Sequence, residues 1–342
     1  MKALVFHEYG GIEKLKYEEF PEPVPEETEV VVRVKAASIN HLDIWMRKGI
    51  RGPKIPIPHI SGCDGAGEVV KIGKKVSGVS LNERVIISPG INCGECHYCR
   101  TGWDSLCPGY HIVGYQTQGT FAEYVKIPAN NALPIPDNLS YEEAAAIPLV
   151  FLTAYHMLFT RAKVQVGEDV LVMAAGSGVG SSAIQLAKLA GARVIASAGS
   201  QEKLDLAKKL GADETINYQT EDLVQKVKNI TGGKGVEVII EHIGGENFKQ
   251  GLYALSRNGR LVTCGATAQP EIDLDLRLLF VKHINLIGSY MGAKWELLEV
   301  IKLFQRKKLK AVIDKKFNLS QGSMAQQYIE ERRNLGKVLL IP

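Results

Sequence analysis

The sequence predicts a two-domain α/β protein, a compact domain of short strands followed by a doubly wound parallel sheet. Three observations lead there. At 342 residues the chain exceeds what one hydrophobic core normally fills, so two domains are the default. Pro and Gly break the first third into short apolar runs. After Tyr141 the pattern changes to strand, glycine turn and helix, repeated.

Taken in order, residues 30–34, 65–70 and 84–88 read as short strands, and strands so punctuated suggest a barrel-like domain. Farther on, the apolar run 170–174 precedes the turn Gly176-Ser177-Gly178-Val179-Gly180 and a helix over 182–189 that Gly191 ends. A strand over 193–197, a helix over 201–210 closing at Gly211, and strands over 214–218, 236–241 and 260–264 continue the series. Alternating β and α elements with right-handed crossovers build a parallel sheet covered on both faces.

Cys93, Cys96, Cys99 and Cys107 are spaced C-x2-C-x2-C-x7-C. That spacing lets four thiolates from one short lobe converge on one metal, and closed tetrahedral sulfur coordination is what structural zinc uses. An iron–sulfur run is the rival reading, because Pro108 follows the last cysteine as in bacterial ferredoxins. Those runs, however, place three residues between their last two cysteines, and one run does not account for a chain this long. Reduced thiols or disulfides in a loop are the remaining alternative. Gly94, Gly102 and Gly109 permit the tight turns such a lobe needs. Four sulfur ligands leave no open position, so the expected metal braces a loop and performs no chemistry.

Composition narrows the partners. The net charge of +4 is small and spread along the chain without a basic block, which argues against nucleic acid. Lys2, His7 and Glu8 interrupt the N-terminal stretch that a signal peptide would keep apolar, and the longest apolar run, 144–154, is too short to cross a bilayer. Cys63 and Cys264 alone stand outside the cysteine cluster, which suits a reducing compartment; a cytoplasmic location is expected.

The glycine turn has the ingredients of a dinucleotide site: a buried strand, a tight turn that lets backbone amides approach the pyrophosphate, and a helix N-terminus facing it. Gly176, Ser177, Gly178, Val179 and Gly180 sit at that junction, although Ala175, Ser177 and Gly180 occupy the three positions of the strict G-x-G-x-x-G fingerprint. Roughly twenty residues on, an acid would select NAD. Here stand Ser197-Ala198-Gly199-Ser200, with Lys203 one turn into the next helix, which favours NADP(H) over NAD(H); Lys203 as an ordinary solvated residue is the bland alternative.

Several stretches together resemble the medium-chain dehydrogenase/reductase superfamily of zinc-containing alcohol dehydrogenases and quinone oxidoreductases. They are Met1-Lys2-Ala3, Ser38-Ile39-Asn40-His41-Leu42-Asp43, the cysteine lobe, Gly119-Thr120-Phe121-Ala122-Glu123-Tyr124-Val125, Leu152-Thr153-Ala154-Tyr155, the glycine turn and Gly336-Lys337-Val338. The resemblance implies a GroES-like β-barrel catalytic domain over 1–150 with a zinc lobe at 90–110, a Rossmann cofactor domain over 151–290, and a return to the catalytic domain over 291–342. It also implies a homodimer or homotetramer joined through a strand around 284–290. By the same resemblance Asn40 and Thr153 lie at the nicotinamide, Tyr218 near the adenosine end, Gly265 along the cofactor, and Lys337 approaches it from the returning tail. Asn40 as a turn cap, Tyr218 as a packing residue and Lys337 as a solvated charge are the bland counterparts. Tyr155 and His156 are secondary proton-donor candidates, and Trp45, Tyr124 and Met291 are expected to line the substrate cleft.

The chain departs from the zinc alcohol dehydrogenases it resembles at their catalytic-metal positions. Where that family has a cysteine, a His-Glu pair and a second cysteine, this sequence has Asn40, Cys63-Asp64 and Leu149. Those groups do not make the open three-ligand site of a catalytic zinc, although a remodelled site from His41, His59, Cys63 and Asp64 is conceivable. Without an electrophilic metal, hydride addition to an enone or quinone is easier than alcohol oxidation, because hydrogen bonds suffice to support the developing enolate or phenolate. The leading expectation is therefore an NADPH-dependent reductase of quinones or α,β-unsaturated carbonyls. An alcohol dehydrogenase with an unconventional metal site and a non-catalytic nucleotide-binding regulator are the alternatives. Residues around 45–60 and 265–295 are expected to shape the substrate pocket.

Overall fold

The computed structural model describes residues 1–49 and 55–342; positions 50–54, part of the stretch expected to shape the pocket, lie outside the described residues. The chain divides into two compact units, one of Met1–Leu149 with Ala293–Pro342 and one of Val150–Gly292.

The first unit opens with strands β1 (Lys2–Phe6), β2 (Lys16–Glu19), β3 (Glu29–Ser38), β4 (His59–Ile60), β5 (Asp64–Ile72), β6 (Arg84–Ile87), β7 (Gly90–Ile91), β8 (His111–Ile112), β9 (Tyr124–Pro128) and β10 (Ala132–Pro134). Between them lie helix α1 (His41–Arg47) and the short α2 (His97–Arg100), with α3 (Tyr141–Ala145) after the last; α4 (Pro148–Tyr155) then leads the chain into the second unit.

The second unit carries β11 (Asp169–Val172), β12 (Arg193–Ala198), β13 (Glu214–Asn217), β14 (Val236–Glu241), β15 (Leu255–Thr263) and β16 (Asn285–Gly288). Helices α5 (Gly178–Leu189), α6 (Gln201–Lys209), α7 (Leu223–Ile230), α8 (Gly245–Ala254) and α9 (Leu276–Lys282) connect them. The chain then returns to the first unit through α10 (Lys294–Gln305), β17 (Ile313–Asn318), α11 (Gly322–Glu330) and β18 (Lys337–Ile341).

In the first unit β10-β6-β5-β3-β18-β17 form one sheet, with β9 also pairing β3, and β2-β1-β4 form a second. Both feed one core that includes Leu4, Phe6, Val32, Ile87, Phe121 and Leu340. The buried Arg47 ties the chain ends together, donating to Gly10 O at 2.9 Å, Gln326 Oε1 at 2.8 Å and Glu330 Oε1 at 2.8 Å. Register places the site: Ser38 at the end of β3 pairs with Asp64 at the start of β5, and with Leu339 of β18, two residues beyond Lys337. Asn40, Asp64 and Lys337 thus belong to strand ends that meet.

The second unit is a six-stranded sheet in the order β13-β12-β11-β14-β15-β16, every pairing parallel. Its central strands β11, β12 and β14 are mostly apolar, as expected where helices cover both faces. The order reverses between β11 and β14, and in open parallel sheets ligands bind outside the carboxyl ends of the strands at such a reversal. Several boundaries in this unit differ from expectation: the strand expected over 260–264 begins at Leu255, other ends shift by a residue, and two differences shape the glycine turn. The strand expected over 170–174 stops at Val172, and Ala174 turns into the left-handed region at φ +50°. The helix expected from 182 begins at Gly178, because Ser177 caps it by accepting from Gly180 N at 2.9 Å. Among the described residues no helix is long and apolar enough to cross a membrane.

Candidate active site and metal centre

Lys337 is 4 % exposed, and its ammonium donates to Asn40 Oδ1 at 2.6 Å, the Ile39 carbonyl at 3.0 Å and Asp64 Oδ2 at 3.3 Å. An ammonium has three donors and no acceptor, so all three are spent. Asp64, fully buried, also accepts from Asn40 Nδ2 at 2.9 Å, Ser38 Oγ at 3.3 Å and, on Oδ1, Leu149 N at 2.9 Å. With a donor-only cation on one side and an acceptor-only carboxylate on the other, chemistry dictates which way the Asn40 amide points. One hydrogen of its Nδ2 goes to Asp64; among the described residues the other has no acceptor.

Asp43 completes the cluster. It accepts from Asn40 N at 2.7 Å and Gly62 N at 3.0 Å, and Cys63 Sγ lies 3.7 Å from its Oδ1. Burial pushes the Asp43 carboxyl up to about 7, against the pull of the Asn40 and Gly62 amides and the Lys337 charge. Burial likewise holds the Cys63 thiol well above its usual range, with the Asp43 and Asp64 carboxylates adding to the effect. Cys63 is therefore a neutral, buried group.

The three positions at which the resembled dehydrogenases carry catalytic-metal ligands do converge here, since both Asn40 and Leu149 hydrogen-bond Asp64. Their donors do not fit a divalent cation: the amide oxygen and the carboxylate already serve an ammonium, the thiol is protonated, and Leu149 presents a backbone N–H. The conceivable set of His41, His59, Cys63 and Asp64 does not converge either. His41 is exposed, and His59 pairs its Nε2 with the Gly114 carbonyl at 3.0 Å. Lys337, expected to approach the cofactor and with a solvated charge as the bland reading, is buried, which removes the solvated reading, and its three donors are held within this cluster.

The cysteine lobe converges as its spacing predicts. Among the described residues, Cys93, Cys96, Cys99 and Cys107 are the one group of metal-ligating side chains whose ligand atoms lie close enough to share an ion, all within 4.8 Å of one another. Tetrahedral bonds of about 2.3 Å put sulfurs roughly 3.8 Å apart. The structure has 3.5 Å for Cys96–Cys99, 3.6 Å for Cys107–Cys93 and 3.9 Å for Cys93–Cys99. Backbone amides of Glu95 and Cys96 draw the Cys93 thiol down to about 6, whereas burial and the sulfur of Cys96 push Cys99 up to about 12. One thiolate forms readily and the next does not; a divalent cation removes that obstacle. The lobe is anchored within its unit by Lys294 N on Asp104 (3.1 Å to Oδ2) and Trp295 Nε1 on the Gly102 carbonyl at 3.0 Å.

In the second unit Gly176, Ser177, Gly178, Val179 and Gly180 form the turn into α5, at the reversal point of the sheet. A Cβ on Gly180 would stand 2.3 Å from the Ala174 carbonyl, so only glycine lets the helix start this close to its strand. A Cβ on Gly176 would meet Lys203 Cγ at 2.6 Å, so the Lys203 stem lies across the turn rather than out in solvent. Ser200 caps α6, while Ser197 is buried within β12, where its carbonyl accepts from Ala175 N at 3.0 Å. Tyr218, 37 % exposed, rests on Gly199, its Oη 2.7 Å from where a Cβ would be. Gly265 follows β15, and its carbonyl lies 3.1 Å from Thr263 Oγ1.

Thr153 is buried on α4; Tyr155 packs on Phe159 with ring centroids 4.6 Å apart, and His156 opens a π-helical stretch. Trp45 is half-buried beside His41, Tyr124 carries the Arg33 guanidinium over its ring at 5.9 Å, and Met291 is buried at φ +53°. Sequence reading missed His242, whose Nε2 lies 3.1 Å from Ser177 Oγ. The available signal was a polar residue at the carboxyl end of a buried strand, two positions before a Gly-Gly pair.

A glycine turn at the reversal point of a parallel sheet, joined to a β unit with a four-cysteine lobe, defines a two-domain dinucleotide-dependent oxidoreductase. The chain matches the alcohol dehydrogenase GroES-like domain over residues 26–137 and the zinc-binding dehydrogenase domain over 178–306. It is 33% identical to an NAD-dependent alcohol dehydrogenase of Sulfolobus acidocaldarius, covering 99% of each chain, and 29% identical to an acryloyl-coenzyme A reductase of Sulfurisphaera tokodaii, covering 100% of each. A solved structure of an NAD-dependent alcohol dehydrogenase superposes with a TM-score of 0.97 at 46% identity, covering 100% of each chain. The chain belongs to the medium-chain dehydrogenase/reductase superfamily, and it is an NAD(P)-dependent oxidoreductase of that type.

Proposed function

We propose that this protein reduces quinones or carbon–carbon double bonds conjugated to a carbonyl, without an electrophilic metal at Asn40. The observation that supports this reading is the Lys337 ammonium bound to Asn40 and Asp64, within the set of positions where the resembled dehydrogenases hold their catalytic ion. A bound reduced nicotinamide supplies the hydride. Addition to an electron-poor carbon leaves negative charge on the conjugated oxygen, and the uncommitted Asn40 N–H is the donor this chain holds for it. Lys337 and Asp64 fix the amide so that the donor need not reorganise, and Thr153 is assigned to the nicotinamide. Alcohol oxidation would need a group that stabilises an alkoxide, and an ammonium with all three donors spent does not provide one.

The alcohol dehydrogenase alternative draws on the names of relatives, and the acryloyl-coenzyme A reductase relative draws toward activated double bonds. NADPH preference belongs to the same proposal: no acid stands at the end of β12, and Ser200 and Lys203 sit there instead. A panel assay tests the whole. We expect NADPH oxidation with a quinone, an enone or an enoyl thioester, and a lower Kd for NADPH than for NADH. Alcohol-dependent NAD(P) reduction as the dominant activity would overturn the reductase reading, no turnover on any substrate would favour a regulator, and tighter NADH binding would overturn the cofactor preference.

The cysteine lobe is assigned one structural zinc ion. Elemental analysis of freshly purified protein should give about one zinc per chain. A chelator that removes it should lower the thermal midpoint rather than block hydride transfer in the protein that is still folded. A second equivalent lost together with activity would contradict the assignment. A cytoplasmic homo-oligomer is the matching cellular form, with β16 as outer strand of its sheet and Leu286 and Tyr290 exposed beside it.

A further inference from the structure

We infer that His242 is a further cofactor-contacting residue, which holds the pyrophosphate on its nicotinamide side together with Ser177. This rests on the dinucleotide reading of the glycine turn. His242 follows β14 directly, and β14 lies beside β11 in register, with Val172 opposite Ile240 and Met173 N donating to the Ile240 carbonyl at 3.1 Å. The imidazole therefore stands at the reversal point, across β11 from the end of β12, which leads to Ser200, and the end of β13, which leads to Tyr218.

Its partner identifies the anion. Ser177 occupies the middle position of the phosphate-binding fingerprint, where glycine ordinarily leaves room for backbone to reach the pyrophosphate. In this chain that position instead bears a hydroxyl, which accepts from Gly180 N at 2.9 Å and pairs with His242 Nε2 at 3.1 Å. The same hydroxyl thus touches the first turn of a twelve-residue helix and an imidazole 9 % exposed. A phosphate oxygen drawn to that helix start comes within one side chain's reach of the ring.

The loop that presents His242 is itself a construction. Glu241, fully buried, accepts from Ile243 N at 2.5 Å, Gly244 N at 2.6 Å and Thr263 Oγ1 at 3.0 Å. Thr267 binds the His242 carbonyl through both N (3.3 Å) and Oγ1 (3.2 Å). Gly244, at φ +78°, would bring a Cβ within 2.2 Å of the Gln269 carbonyl. Three anchors around one residue fix the ring's base, which is what a binding residue needs and a packing residue does not.

Fragment binding tests the inference on the full, zinc-replete chain. His242→Ala should weaken ADP-ribose and NADPH roughly tenfold, the size expected for one charge-assisted hydrogen bond, and leave AMP unchanged because AMP ends at the adenosine-side phosphate. His242→Gln, which retains a donor, should recover most of the loss. Equal ADP-ribose affinity in wild type and His242→Ala would overturn the assignment, and so would an equal loss of AMP binding, which would signal a disturbed sheet. A wild-type chain that binds neither ADP-ribose nor NADPH would instead overturn the dinucleotide reading beneath it.

Discussion

Asn40→Ala should lower kcat for enone reduction by roughly 10²–10³-fold, the usual cost of deleting one preorganised donor to a developing oxyanion. Dinucleotide Kd measured beside kcat separates a loss of chemistry from a loss of binding. The expectation follows from counting donors. Lys337 has none left, Asp64 has none to give, and Cys63 is a weak one occupied beside Asp43, which leaves the second Asn40 N–H. Asn40→Asp offers a check on geometry: it conserves size, removes both N–H donors and sets a second carboxylate against Asp64, so it should be at least as slow. Zinc content and a urea midpoint would establish that each variant is folded. A folded Asn40→Ala protein with kcat within twofold of wild type would remove Asn40 from the chemistry.

Much of this was legible in the sequence where local pattern and tertiary role coincide. The β11 and β14 runs are apolar because both faces of a parallel sheet are covered, and residues 236–241 matched β14 at both ends. The cysteine spacing is a contact map in miniature, since four ligands within fifteen residues have few ways to arrange themselves. The start of α5 was misplaced because glycine and serine are poor helix formers, and Ser177's cap on Gly180 overrides propensity there. The burial of Lys337 was not legible for a different reason: only the pairing of β18 with β3 brings it to Asp64, 273 positions away. His242 escaped notice because its partner lies 65 positions upstream and no periodicity reports a contact between loops.

Lys337→Met should destabilise the first unit by about 3–5 kcal/mol, the cost of stripping one partner from a buried ion pair. Lys337 is 4 % exposed and Asp64 0 %, so solvent does not screen the loss, and the Asn40 oxygen forfeits its donor as well. The double variant Lys337→Met/Asp64→Asn removes the unpaired charge and should recover a good part of the deficit, which a pure packing defect would not. Acidity gives an independent signature. Burial already raises the Asp43 carboxyl to about 7, and the Lys337 charge is among the forces holding it down. A carboxyl whose folded pKa exceeds its unfolded value of about 3.9 binds a proton preferentially in the folded state, so its contribution to stability is lost as pH rises through that interval. Without the ammonium the Asp43 pKa climbs further and the interval widens. Urea unfolding at about pH 5 and about pH 8 should therefore show the Lys337→Met deficit growing with pH. A deficit that is constant with pH, or that Asp64→Asn deepens, would mean that the ammonium fills space rather than balances charge in this cluster.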